Sequence, residues 1–207
     1  MVQVAIAYHS GYGHTKVVAE EVAKGAGQVA GAKVNVIAVD KIDEADWSTL
    51  DAADAIIFGA PTYMGGPSGP FKVFADASSK RWMSLAWRDK LAAGFTNSAS
   101  QNGDKLNSLQ YFNILAMQHQ MLWVGLDLPP GNNSSKGSPA DLNRLGSWIG
   151  LMTQSNSDQP AELTPPEGDR KTAIHFGKRV AEAAARWING KTEAGKAKAP
   201  AAEPVRA

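Results

Sequence analysis

Residues 2–15 read VQVAIAYHSGYGHT, and this stretch decides the fold. Val2 to Tyr8 is a mostly apolar, β-branched run of strand length, stopped by Ser10-Gly11-Tyr12-Gly13. From Thr15 a helical period takes over, with Val18, Val22 and Val29 on one face and Lys16, Glu20, Lys24 and Gln28 on another, until Gly31. A strand, a glycine-rich turn and an amphipathic helix in that order predict the opening of a parallel βαβ arrangement. The same rhythm continues outward. Lys33–Val39, Ala55–Gly59, Lys90–Phe95 and Met121–Leu126 read as four more strands. Pro67–Ser79, Asp104–Gln120 and Thr172–Asn189 read as helices. Strands that are apolar on both faces and alternate with helices predict a parallel sheet covered on both sides, a doubly wound α/β domain of five strands.

Composition sets the bounds. With 207 residues, 43% of them hydrophobic, the chain has material for one full core, expected over 1–189. The segment 190–207 is Ala, Lys, Glu and Pro and is expected to be a disordered tail. Residues 129–169, rich in Gly, Pro, Ser and Asn, form a loop too long to be idle in a compact domain. The formal net charge of +1 lacks the basic field of a nucleic-acid binder. Cysteine is absent, so no thiol chemistry or disulfide is possible. No apolar run reaches membrane-spanning length, and the N-terminus lacks a basic region. The expected compartment is the cytoplasm. No histidine pair has ligand spacing with a carboxylate, so no metal site is expected.

In open α/β sheets ligands bind beyond the carboxyl ends of the strands, and three loops lie there. Ser10, Gly11, Tyr12, Gly13, His14 and Thr15 combine a glycine turn, two hydroxyls and a helix N-terminus, which suits a phosphate. The P-loop pattern is absent. The dinucleotide fingerprint has Gly11 and Gly13, but Lys16 stands in the third place; Asp40 imitates its ribose-binding acid. A mononucleotide phosphate is the preferred reading. Pro61, Thr62, Tyr63, Met64 and Gly65 place an aromatic ring where a planar ligand would lie. Asn97, Ser98, Ala99, Ser100, Gln101, Asn102 and Gly103 offer amides and hydroxyls to the polar edge of a heterocycle. A phosphate cradle with two ring-holding loops describes a site for flavin mononucleotide (FMN).

The loops SGYGHT, PTYMGG and NSASQNG resemble those of flavodoxin-like FMN proteins, above all the tryptophan-repressor-binding-protein family of NAD(P)H:quinone oxidoreductases. The resemblance runs from Val2 to about Leu126 and resumes in the last helix. It implies strand order 2-1-3-4-5, FMN as cofactor, NADH or NADPH as donor, a planar quinone as acceptor, and a homodimer or homotetramer. It further implies that Tyr12 meets the nicotinamide nucleotide, Trp82 stands beside the quinone, and His119 lies over the flavin. No side chain is expected to act as a catalytic acid or base, because the flavin carries the chemistry. The chain departs from the family at Tyr63-Met64, where many members have Arg-Phe, in the shorter 39–54 segment, and in the 143–157 stretch. The rival expectation is a flavodoxin-type carrier that passes single electrons to protein partners.

Overall fold

The computed structural model describes residues 1–196. Its centre is a parallel sheet built on β1 (Val2–Tyr8), which pairs in register with β2 (Ala32–Ala38) on one side and β3 (Ala55–Tyr63) on the other. β4 (Gly66–Pro67) folds back antiparallel on the end of β3. β5 (Leu91–Ser98) pairs with β3, and β6 (Leu122–Trp123) with β5. The order β2-β1-β3-β5-β6 is 2-1-3-4-5 when only the parallel strands are counted, as expected.

The fifth position corrects the sequence reading. Met121–Leu126 does not run as one strand: only Leu122 and Trp123 pair, with Leu91 and Ala92. The upper half of that edge is β7 (Leu151–Gln154), paired with Phe95–Ser98. The sheet position is therefore filled from two separate pieces, and residues 124–150 leave the sheet and return to it.

Alternation within the strands divides the core. Val4, Ile6 and Ile57 face α1 (His14–Ala26) and α6 (Glu167–Lys196), where Val18, Val22, Phe176 and Val180 are buried. Ala5, Ala7, Ile56 and Phe58 face the other layer, made of α2 (Glu44–Ala52), α3 (Gly69–Ala77) and α5 (Lys105–Gln118). Trp87, Phe71, Phe74 and Phe112 fill that layer with tilted and edge-on ring contacts. Helices α1 and α6 meet backbone to backbone: a Cβ at Gly177 would run into the carbonyl of Val22, and one at Gly25 into that of Ile174. Only glycine fits where two helices approach so closely.

Two elements differ from the reading. α2 was not expected in the polar stretch before β3; Asp43 and Asp46 close a capping box at its start, and Trp47 and Leu50 anchor it. α6 begins at Glu167 and runs through the Asn189 boundary to Lys196. Gly190 costs only about 1 kcal/mol in a helix, and the Lys, Glu and Ala around it are good helix formers. The rest of the tail segment, 197–207, lies outside the described residues. Among the described residues no helix is long and apolar enough to cross a membrane.

Candidate cofactor site

A cavity of about 880 Å³ opens at the carboxyl ends of β1, β3, β5 and β7, a size in the usual range for small-molecule sites. From the first loop Tyr12, His14 and Thr15 line it. Pro61, Thr62, Tyr63, Met64 and Gly65 line it from the second, and Asn97, Ser98, Ala99, Ser100 and Gly103 from the third. The three expected loops thus surround one space. A fourth wall was not foreseen: Ser155, Ser157, Gln159 and Pro160 follow β7. Their signal lay inside the long 129–169 segment, where only the pairing of β7 with β5 reveals that it returns to the ligand edge.

The first loop is shaped for an anion. Gly13, the residue before α1, stands at φ 89° and has no side chain to cap it, which leaves the His14 and Thr15 amides available to a ligand. The Ser10 Oγ accepts the Lys16 amide at 3.1 Å, so its hydroxyl proton can still be donated. Ser10, Gly11 and Gly13 shape the turn without lining the cavity. The loop is held on both flanks. His14 Nε2 donates to the Gln159 carbonyl at 2.9 Å, which ties it to the fourth wall. Tyr63 packs its hydroxyl against Gly11, where a Cβ would have no room. Burial and the nearby Tyr12 push the Tyr63 phenol up, while the Gly11 amide pulls it down.

The second and third loops share buried supports. Thr62 Oγ1 lies 2.7 Å from both Thr96 Oγ1 and Ser108 Oγ, a hydroxyl cluster beneath the cavity floor. Asn107 Nδ2 donates to the Gly65 carbonyl at 2.6 Å and holds the second turn to α5. Asn97 Oδ1 accepts from Thr153 and Ser155, at 2.8 and 3.0 Å, which leaves its Nδ2 as a donor for the cavity. Gln154 Nε2 donates to the Ala99 carbonyl at 2.9 Å. Behind it, the buried Arg144–Asp169 pair at 2.7 Å fixes the end of β7 to α6, since Asp169 also accepts the Gln154 amide. Gln101 and Asn102 belong to the third loop but do not line the cavity.

The structure places Trp82 and His119 apart from the other predicted site residues. Neither lines the cavity. α5 starts beside the third loop and runs back along the sheet, so His119, fourteen residues after Lys105, lies about 21 Å away. There it is buried, its ring 4.4 Å from that of Trp87. Ser78 Oγ donates to the Ala75 carbonyl and so accepts from His119 Nε2–H at 2.8 Å, which makes the imidazole the neutral Nε2–H tautomer. Nδ1 has no partner, and burial pulls the imidazole pKa down to about 4. Trp82 sits on the short helix α4 (Ser79–Met83), joined to α3, and is 51% exposed. His9 bonds Ser68 at 2.8 Å and His175 bonds Asp127 at 2.7 Å, both outside the cavity.

Comparison with known proteins agrees with this geometry. A family model described as NADPH-dependent FMN reductase matches residues 6–128. The chain is 47% identical over 184 residues to flavodoxin FldP of Pseudomonas aeruginosa, covering 87% of this chain and 96% of that one. It is 34% identical over 206 residues to an NAD(P)H dehydrogenase (quinone) of Geotalea uraniireducens, covering 89% and 98%. A solved structure of a WrbA-like flavodoxin from Agrobacterium tumefaciens is 46% identical, with a TM-score of 0.69 over 90% of this chain and 99% of that one.

Proposed function

The chain belongs to the NADPH-dependent FMN reductase family and is an FMN-dependent oxidoreductase, and from that premise we propose that it moves two electrons from NADH or NADPH to a small quinone. The observation that carries the reading is the single cavity bounded by the carboxyl-end loops of β1, β3 and β5. The residues fit FMN: the Gly13 turn at the start of α1, with Ser10 and Thr15, suits a phosphate, and Asn97 Nδ2 with the 98–103 loop suits a polar ring edge. Bound FMN would accept a hydride from the reduced nicotinamide and give two electrons to the acceptor.

The chain's own residues supply position and electrostatics. Thr15 and the first-turn amides of α1 hold negative charge at one end of the cavity. Tyr12, 80% exposed, stands edge-on to Tyr63 with ring centres 6.2 Å apart and offers one aromatic surface to a planar substrate. Nicotinamide and quinone take that surface in turn, so the kinetics are ping-pong. The test is steady-state oxidation of NADH and NADPH with benzoquinone and no partner protein. Parallel double-reciprocal lines support the reading, and intersecting lines remove the shared surface. The flavodoxin name of the Pseudomonas relative favours a second reading, a carrier of single electrons. Absence of turnover without a protein partner would favour it.

A homodimer or homotetramer and a cytoplasmic location belong to the same proposal. Trp82, Met83 and Leu85 are exposed around α4, and Trp82 reaches an acceptor only if a second copy brings its α4 to the cavity. Trp82→Ala then raises the KM for quinone while FMN stays bound. His119 has no such route, being buried within its own chain.

A further inference from the structure

Lys105 is the first residue of α5, and its side chain is completely buried. Its ammonium donates to three acceptors: Ser98 Oγ at 2.8 Å, the Ser100 carbonyl at 2.6 Å and the Gln101 carbonyl at 2.9 Å. Gly103 and Asp104 both stand in the left-handed region, at φ 55° and 54°, and bring the chain back over the ammonium. A Cβ at Gly103 would strike Ser98 Oγ. The third loop is thus wrapped around a buried cation.

No carboxylate lies within ion-pair distance of Lys105 among the described residues; Asp169 acts on it from farther off and Arg144 opposes it. Burial lowers its pKa to about 8, which still leaves it charged at neutral pH. A buried cation without a paired anion is costly, and an apolar side chain of similar length would pack there more cheaply. The loop geometry explains its presence. In a trans peptide the carbonyl and the amide point in opposite directions. With the Ser100 and Gln101 carbonyls turned in to the ammonium, the Gln101 and Asn102 amides must point outward. The loop therefore carries a fixed positive charge behind it, and its Ser98, Ala99, Ser100 and Gly103 line the cavity in front of that charge.

We infer that Lys105 is a positioning residue that sets the 98–103 loop to stabilise the negative charge a flavin ring gains on two-electron reduction. The inference rests on the FMN reading above. Hydride transfer adds two electrons and one proton to the ring, which gains one negative charge, while the nicotinamide leaves with one positive charge. A fixed cation behind the cavity wall favours that charged form over the neutral oxidised ring.

The experiment measures oxidised-FMN affinity by flavin fluorescence and the two-electron midpoint potential by dye equilibration, on wild type and Lys105→Met. The variant should bind oxidised FMN within threefold of wild type and reduced FMN at least tenfold more weakly. That ratio lowers the midpoint by about 30 mV for each tenfold. Should the Met variant not fold, Lys105→Gln, which keeps N–H donors for the loop carbonyls without the charge, carries the same expectation. Equal weakening of both redox forms, with an unchanged potential, overturns the inference and leaves Lys105 a purely structural clasp. A wild type that binds no FMN overturns the cofactor reading itself, and the inference with it.

Discussion

The two edges of the parallel sheet carry similar residue types and have opposite characters. At the carboxyl edge, Tyr12, Tyr63 and His14 surround an open cavity of about 880 Å³ floored by hydroxyls and amides. At the amino edge, Trp87, Trp47, His119 and Ser78 are buried, and Trp87 Nε1 donates to the half-buried Asp51 at 2.8 Å. Aromatic rings and a histidine do not by themselves make a flavin site. Chain direction decides which edge they reach. A helix that leaves the carboxyl edge returns its far end to the amino edge, which is why a histidine at the end of α5 serves packing and one at the start of α1 serves the cavity.

If the edges are independent, damage at the amino edge lowers stability without touching the cofactor. Trp87→Ala removes a ring with no solvent exposure, its bond to Asp51 and its tilted ring contact with His119. A loss of about 3–5 kcal/mol is expected by urea unfolding at 10 °C. FMN affinity of the folded variant should stay within twofold; a collapse of affinity in well-folded protein would break the comparison.

His119 sharpens it through pH. The folded imidazole titrates near 4, below its usual 6.5, so the folded state binds fewer protons than the unfolded one between those values. Its contribution is complete above 6.5 and is lost as pH falls toward 4, with a slope of about 1.4 kcal/mol per pH unit. His119→Gln keeps a donor for Ser78 and should remove that slope in urea midpoints while leaving quinone kinetics unchanged. Altered KM for quinone would return His119 to the acceptor pocket.

The smallest expected effect lies at α2, in the same helical layer as Trp87. Asp43→Ala removes its cap and should cost about 1 kcal/mol by thermal unfolding, with FMN affinity unchanged. No loss would mean that Trp47 and Leu50 alone hold the helix.

Much of this contrast was legible before any coordinates. The run from Val2 to Thr15 declares itself because strand, turn and helix follow one another and each signal is local. The three loops were found by their position after apolar runs. β7 was hidden for the opposite reason: LMTQ is four residues long, and its partner Phe95–Ser98 is far away in sequence. With it went the fourth wall of the site. α2 was hidden because only Trp47 and Leu50 of its nine residues are buried, too few to show a helical period. Trp82 and His119 were placed by resemblance of residue type, and the direction of α5 and the position of α4 moved them. The clasp of Lys105 on the third loop has no sequence signal beyond a lysine at a helix start.

The central claim is that the carboxyl-edge cavity holds FMN by its phosphate loop. The direct measurement is titration of FMN into the apoprotein, followed by quenching of flavin fluorescence, for wild type and the double variant Ser10→Ala, Thr15→Ala. Wild type should saturate at one FMN per chain. The double variant, with its fold intact by circular dichroism, should bind at least tenfold more weakly, because each hydrogen bond to a charged group contributes on the order of 1.5–3 kcal/mol. Equal affinity in the two proteins would contradict the assignment of the first loop and, with it, the orientation of the cofactor in the cavity.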